Sequence, residues 1–272
     1  MSQQVGAVRP SDALWREGGG YYTEAPEALR RRPVLPDERR LRDRRLLELF
    51  ARYGILTAGS PVLEAGCGRS PWLPYLARRW GCQVVGLDLE PLAVELARAN
   101  LAGAGVVGEV LCRDAFVLEV NADLVGRFDL VYSMGLVEHF PDPVERLGRL
   151  ARFLKPGGRI LTTVPNLRGF NWVLQRLADL ERLEMHVLYD VRRLTRVHEA
   201  AGFETVAAGY AGFFDAYLSA AGPSAGRLPC ALHGWLCWAL GMACEAWLRL
   251  CRGRLTPELP WLAPHVFYVG QR

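Results

Sequence analysis

Two short apolar runs, PVLEAGCG at 61–68 and VVGLDLEP at 84–91, enclose a segment just long enough for one helix, and this spacing constrains the chain more than any other feature. The first run reads as a buried strand entering a tight glycine turn, the second as a buried strand ending in an acid, Asp88. Strand, helix and parallel strand form a βαβ unit, whose ligand crevice lies at the carboxyl ends of its strands. Gly66 and Gly68 lack a Cβ, so the main chain turns sharply there and a ligand can approach it. Asp88 follows Gly66 by 22 residues, at a strand end where a carboxylate can accept both hydroxyls of a ribose. The dinucleotide pattern G-x-G-x-x-G fails, because Pro71 stands in place of the third glycine.

The same alternation continues. A helix is expected near 71–80, a strand at 83–88, a helix at 91–102, strands at 107–114 and 127–135, a helix at 143–154 and a strand at 155–166. Pro71, Pro91 and Pro143 mark helix starts, where a missing N–H costs nothing. Strands alternating with helices predict a parallel sheet covered on both faces. Right-handed crossovers then bring residues 66–70, 88–90, 114–116 and 133–139 to one sheet edge.

On these residues the chain resembles the class I S-adenosylmethionine (AdoMet)-dependent methyltransferases of small-molecule type. E-x-G-C-G at 64–68 and D-x-E-P at 88–91 look like that family's first two motifs, and CRDAF, FDLVYSMGLVEHFPDP and LKPGGRILTTVPN like the next three, in family order over roughly 55–210. The resemblance implies a Rossmann-like, seven-stranded, mostly parallel sheet with an antiparallel last strand. It also implies AdoMet as cofactor, with S-adenosylhomocysteine as product. Glu64, Gly66, Cys67 and Gly68 would face its methionine part, Asp88 its ribose and Leu89 its adenine. Asp114 and Ala115 would meet the adenine edge. Ser133, Met134 and Gly135 would run beneath the sulfonium, with Glu138 and His139 at the mouth, near cofactor or acceptor. Plainer readings stand beside these: Asp88 as a strand-end cap, Asp114 as a turn acid, His139 as a positioning residue rather than a base. His186, in a phrase resembling the family's H-x-x-x-Y/F segment, is the second candidate base, since imidazole titrates near neutral pH.

Around that core, residues 1–54 are expected to form an N-terminal cap or lid. A helix spans 37–53, capped by Asp37, and Tyr21 and Tyr22 precede it as lid aromatics that could line an acceptor pocket. The arginines crowding this helix read as a solvated face or as a surface for a polyanion. The core is assigned to 55–214, with an acceptor-side insertion at 166–190, where Asn166, Phe170, Trp172 and Tyr189 are acceptor-contact candidates; His198 reads as a surface residue. Residues 215–263 form an apolar helical insertion, and 264–272 the closing strand. Residues 228–244 carry no formal charge, and 230–251 read as a helix that covers the acceptor pocket, dimerises or touches a membrane surface. Cys230, Cys237, Cys244 and Cys251 recur every seventh residue, too spread to ligate one metal, and read as small packing residues.

Composition narrows the rest. A 50% hydrophobic content over 272 residues supports a sizeable core, and a net charge of +4 demands no nucleic-acid partner. Lys155 is the only lysine among 33 basic residues, a bias that reads as the genome composition of a GC-rich bacterium. Seven cysteines with no C-x-x-C pair read as reduced thiols in a cytoplasm, and no apolar signal core opens the chain. Asp123 and Asp129 make no obvious divalent-metal cluster, so no metal is expected. The expected activity is methyl transfer to a small hydrophobic or aromatic acceptor, with oxygen favoured, by a monomer or homodimer. The alternatives are an RNA or protein methyltransferase using the arginine-rich helix, or a non-catalytic AdoMet-binding subunit.

Overall fold

The computed structural model describes residues 25–215, 219, 227–251 and 256–272. Tyr21, Tyr22 and most of the linker expected at 220–229 lie outside the described residues. In chain order the elements are α1 (Pro26–Arg31), α2 (Leu41–Tyr53), β1 (Pro61–Ala65), α3 (Trp72–Trp80), β2 (Gln83–Asp88), α4 (Pro91–Gly103), β3 (Glu109–Cys112), β4 (Phe128–Met134), α5 (Pro143–Ala151), β5 (Leu154–Pro165), α6 (Phe170–Ala178), α7 (Leu180–Glu184), α8 (Val191–Ala200), β6 (Glu204–Ala211), α9 (Arg227–Leu250) and β7 (His265–Gln271). Short 3₁₀ turns at Glu119–Leu124 and Val137–His139 flank β4.

Seven strands form one sheet in the order β3-β2-β1-β4-β5-β7-β6. The pairs from β3 through β5 are parallel, and β7 inserts antiparallel between β5 and β6. The order reverses between β1 and β4, which places a topological switch point at their carboxyl ends. Strand residues alternate between two buried faces, as a doubly covered sheet requires. Val62, Leu130, Tyr132 and Leu161 pack under α2, α3 and α4, where Phe50 meets Tyr132 edge-on at 5.0 Å. Leu63, Val131 and Ile160 face α5 and α8 on the other side.

Several boundaries and one environment differ from the sequence expectation. The cap helix begins at Leu41, because Asp37 takes part in a turn: its Oδ1 accepts from the Arg39 amide, and its own amide donates to Asp43 Oδ2. Arg42, Arg44 and Arg45 of α2 are drawn into ion pairs. Arg42 meets Asp43 and Asp215, both at 2.9 Å, and Arg45 meets Glu48 at 2.7 Å. His198 is a core residue, not a surface one. Its Nδ1 donates to the Leu194 carbonyl at 2.8 Å, which leaves Nε2 to accept from the Thr162 hydroxyl at 2.9 Å. The ring stacks on Tyr268 at 4.0 Å, and burial pushes its pKa down to about 4.

Helix α9 packs against α6, with buried Cys237 beside Leu174. Much of its apolar surface stays open, with Trp235 at 64% exposure and Leu250 at 79%. Among the described residues, no helix is long and apolar enough to cross a membrane.

Candidate active site

The carboxyl ends of β1, β2, β3 and β4 open into a cleft of about 1130 Å³ at the switch point. The turn after β1 is shaped by its glycines: Gly66 has φ of +68° and Gly68 +51°, a region that suits residues without a Cβ. A Cβ built on Gly66 would stand 2.9 Å from Leu136 Cδ1. The amides of Gly66 and Cys67 both donate to the Leu87 carbonyl, which fastens the turn to β2.

Along the ends of β1, β2 and β3 the acids Glu64, Asp88 and Asp114 line the cleft in series. Asp88 ends β2, and its oxygens accept from the Gly68 amide at 2.7 Å and the Glu90 amide at 3.0 Å. Those bonds fix the carboxylate and leave each oxygen a lone pair for a diol. Burial still outweighs them and raises the pKa. Glu64 is fully enclosed and accepts from the Ser70 and Tyr132 hydroxyls; burial pushes it up to about 8. Asp114 accepts from the Phe116 amide at 2.8 Å. Leu89 lies along the cleft with 40% of its surface open, an apolar plate next to these acids. Cys67, Gly68, Ala115, Met134 and Gly135 complete this half, while Ser133 is buried with its hydroxyl unpartnered and does not line the cleft.

The residues present fit AdoMet. The bare glycine turn exposes main chain to the cleft, the fixed Asp88 carboxylate has lone pairs that a ribose diol could fill, and Glu64 is a buried acid that a nearby cation would stabilise in its charged form.

The other half of the cleft comes from segments far apart in sequence. His139 ends the 3₁₀ turn after β4, and His186 follows α7; their rings lie 4.7 Å apart, tilted by 50°. The Val187 amide donates to the Glu138 carbonyl at 2.6 Å and ties the two segments together. Both candidate bases therefore share one wall, with Glu138 buried behind them. Gln175 from α6 and His265 from β7 also line the cleft, together with Asp43 and Leu46 of α2. Burial lowers the His265 pKa to about 4. The sequence reading missed these four. They come from the cap, the insertion and the last strand; a polar residue amid apolar neighbours is the only local mark of Asp43, Gln175 and His265, and Leu46 reads as an ordinary residue of the apolar stripe.

The remaining acceptor candidates do not line the cleft. Asn166 is buried and donates to the Pro260 and Ala263 carbonyls, so it anchors the segment before β7. Phe170 packs on Phe214, Trp172 carries Arg176 over its ring, and Tyr189 is buried in the core beside Arg193. Each is held by structural contacts.

Known proteins resemble this chain in sequence and in fold. A family model described as a methyltransferase domain matches residues 37–208. A "Ubiquinone biosynthesis O-methyltransferase" from Xanthomonas axonopodis pv. citri is 38% identical over 109 residues, covering 40% of this chain and 44% of the relative. The protein of the same name from Erwinia tasmaniensis is 30% identical over 156 residues, covering 56% and 63%. The chain thus spans less than two thirds of the length of these curated relatives. Among solved structures, one described as a putative sarcosine dimethylglycine methyltransferase from Galdieria sulphuraria superposes with a TM-score of 0.56 at 16% identity over 83% of each chain, a likeness of fold. With the family model matched across its core, the chain belongs to the methyltransferase-domain family, the class I AdoMet-dependent methyltransferases.

Proposed function

We propose that this protein transfers a methyl group from AdoMet to an oxygen of a small, hydrophobic or aromatic acceptor. The observation that carries the proposal is the two-part cleft. A glycine turn with three acids and Leu89 abuts a wall built from His139 and His186. The relatives named O-methyltransferases favour oxygen as the methylated atom.

When bound, AdoMet supplies a methyl group already activated on a sulfonium. The protein's task is then to align the acceptor and exclude water. Asp88 holds the ribose, Leu89 packs on the adenine, and Asp114 with the Ala115 amide meets its edge. Glu64 and the 66–68 turn face the methionine end. Gly135 leaves the path to the methyl donor narrow but open, since a Cβ there would come within 3.3 Å of Glu138 Oε1. Phe140 and Leu167 give the acceptor apolar contact. His139 and His186 orient its hydroxyl or receive its proton.

A cytoplasmic protein acting without nucleic acid fits best. The RNA-directed reading needs free positive charge on the cap helix, and Arg42 and Arg45 there are paired with acids. A monomer or homodimer, with membrane-surface contact through exposed α9, is consistent with this reading. The test is to incubate the purified protein with AdoMet and a panel of phenols, and to follow S-adenosylhomocysteine release and methylated product. Acceptor-dependent turnover is expected. AdoMet binding with no product from any phenol, amine or thiol would instead favour the non-catalytic subunit.

A further inference from the structure

We propose that Glu138, His139 and His186 form a binding site for one divalent cation at the acceptor end of the cleft. One carboxylate oxygen and one nitrogen from each ring lie within 4.8 Å of one another. Ligands about 2.0–2.2 Å from a shared ion sit up to about 4 Å apart, so a small closing motion brings all three to coordination distance. The backbone bond from the Val187 amide to the Glu138 carbonyl already holds the two ligand-bearing segments against each other.

The second observation is independent of this clustering. Glu138 is 2% exposed and lines the cleft, yet its Oε2 is buried without a hydrogen-bond partner. Native structures rarely leave a buried carboxylate oxygen unmatched, and a proton or a cation resolves it. Two imidazole nitrogens within 4.8 Å of a Glu138 carboxylate oxygen favour the cation, because a lone protonated carboxyl needs no nitrogens gathered around it.

Two nitrogens and one oxygen suit borderline ions such as Zn²⁺, Co²⁺, Fe²⁺ or Ni²⁺ more than Mg²⁺ or Ca²⁺. Three protein ligands, all lining the cleft, would leave coordination positions open. An acceptor with two adjacent oxygen donors, a vicinal diol or a hydroxyl beside a carbonyl or ether, would fill them. This role rests on the methyltransferase reading above; the site itself does not. Coordination lowers the pKa of the hydroxyl, whose proton leaves to solvent, so the oxygen meets the methyl donor as an anion without a protein base. The expectation of no metal rests on Asp123 and Asp129 alone and leaves the histidines out.

The test is titration of the chelator-stripped full chain with Zn²⁺ and Co²⁺, followed by calorimetry and visible absorption, with no AdoMet or acceptor present. One equivalent should bind, and Co²⁺ should give the d–d bands of a low-coordinate nitrogen–oxygen site without a thiolate charge-transfer band. His139→Ala and His186→Asn, both at partly exposed positions, should each weaken binding by about tenfold or more, in line with the loss of a ligand or its support. Glu138→Gln should do the same, and unchanged melting of the His variants separates ligand loss from misfolding. Absence of saturable binding, or binding through thiolates that both His variants retain, overturns the site. AdoMet is titrated in parallel. If AdoMet binds and the metal does not, the site fails and the methyltransferase reading stands; if the metal binds and AdoMet does not, the reverse holds.

Discussion

The two halves of the cleft are built by different logic. The donor half comes from short turns at the ends of β1, β2, β3 and β4, and main-chain amides of the first three fix the carboxylates of Asp88 and Asp114. The acceptor half is assembled from α2, the turn after β4, α6, the segment after α7 and β7, with Asp43 and His265 standing 222 positions apart in the chain. A local device needs only the right glycines and acids at the right spacing, so it reads out of the sequence and tolerates change elsewhere. An assembled wall depends on every element that delivers it. The donor half should therefore be sensitive to single site residues, and the acceptor half to its anchors.

The largest expected contrast pits Asp88 against the histidines. Asp88→Ala should weaken AdoMet binding by about 1.5–3 kcal/mol, the scale of hydrogen bonds to a charged group. His139→Ala and His186→Ala should leave AdoMet affinity nearly unchanged while lowering turnover. Calorimetry on the three variants reads this directly, and equal losses of AdoMet affinity in all three would erase the distinction between the halves.

The fold itself supplies a pH signature of similar size. The His198 pKa is pushed from its ordinary 6.5 to about 4, so between these values the unfolded chain binds the proton and the folded chain does not. Stability is then full above 6.5 and lost as pH falls towards 4, by up to about 3 kcal/mol for this one group. His265 shifts the same way. Chemical denaturation across pH 4–7 should show the loss, and His198→Gln should flatten part of it; an unaltered slope would mean that His198 is not the buried neutral group described.

Anchors come next. Asn166→Ala removes both donors to the Pro260 and Ala263 carbonyls and should cost about 1–3 kcal/mol of stability. Because those bonds hold the segment entering β7, which carries His265, turnover should fall with little change in AdoMet affinity. Asn100→Ala is the donor-side counterpart. Its amide joins the Val34 main chain to the Ser70 carbonyl, so its loss should weaken AdoMet binding as well as melting temperature. The smallest effect belongs to the open face of α9: Trp235→Ser should change stability by no more than about 0.5 kcal/mol, as is usual for an exposed site.

Legibility followed the same divide. The strand–turn–acid series from Glu64 to Ala115 was readable because period, glycine and charge coincide within each short stretch. The antiparallel closing strand was readable because VFYV is a short unbroken apolar run near the end of the chain, where the resemblance expects the last strand. His198 was misplaced because its helix carries Arg192, Arg193 and Arg196, which made the whole stretch look solvated; the stacking on Tyr268 and the bonds to Leu194 and Thr162 reveal the buried side. Asn166, Phe170 and Tyr189 lie close to the sheet edge in sequence, but their side chains turn to Pro260, Phe214 and the core. His265 and Gln175 were invisible as site residues because no local pattern points them into a cleft that other segments enclose.

The most direct measurement is calorimetric titration of the full chain with S-adenosylhomocysteine, with NAD as the control nucleotide. Saturable one-to-one binding of the sulfur nucleoside, absent for NAD and sharply weakened in Asp88→Ala, is expected. Binding of NAD instead, or sulfur-nucleoside binding that Asp88→Ala leaves intact, would contradict the assignment of the glycine turn and its acids as the methyl-donor half.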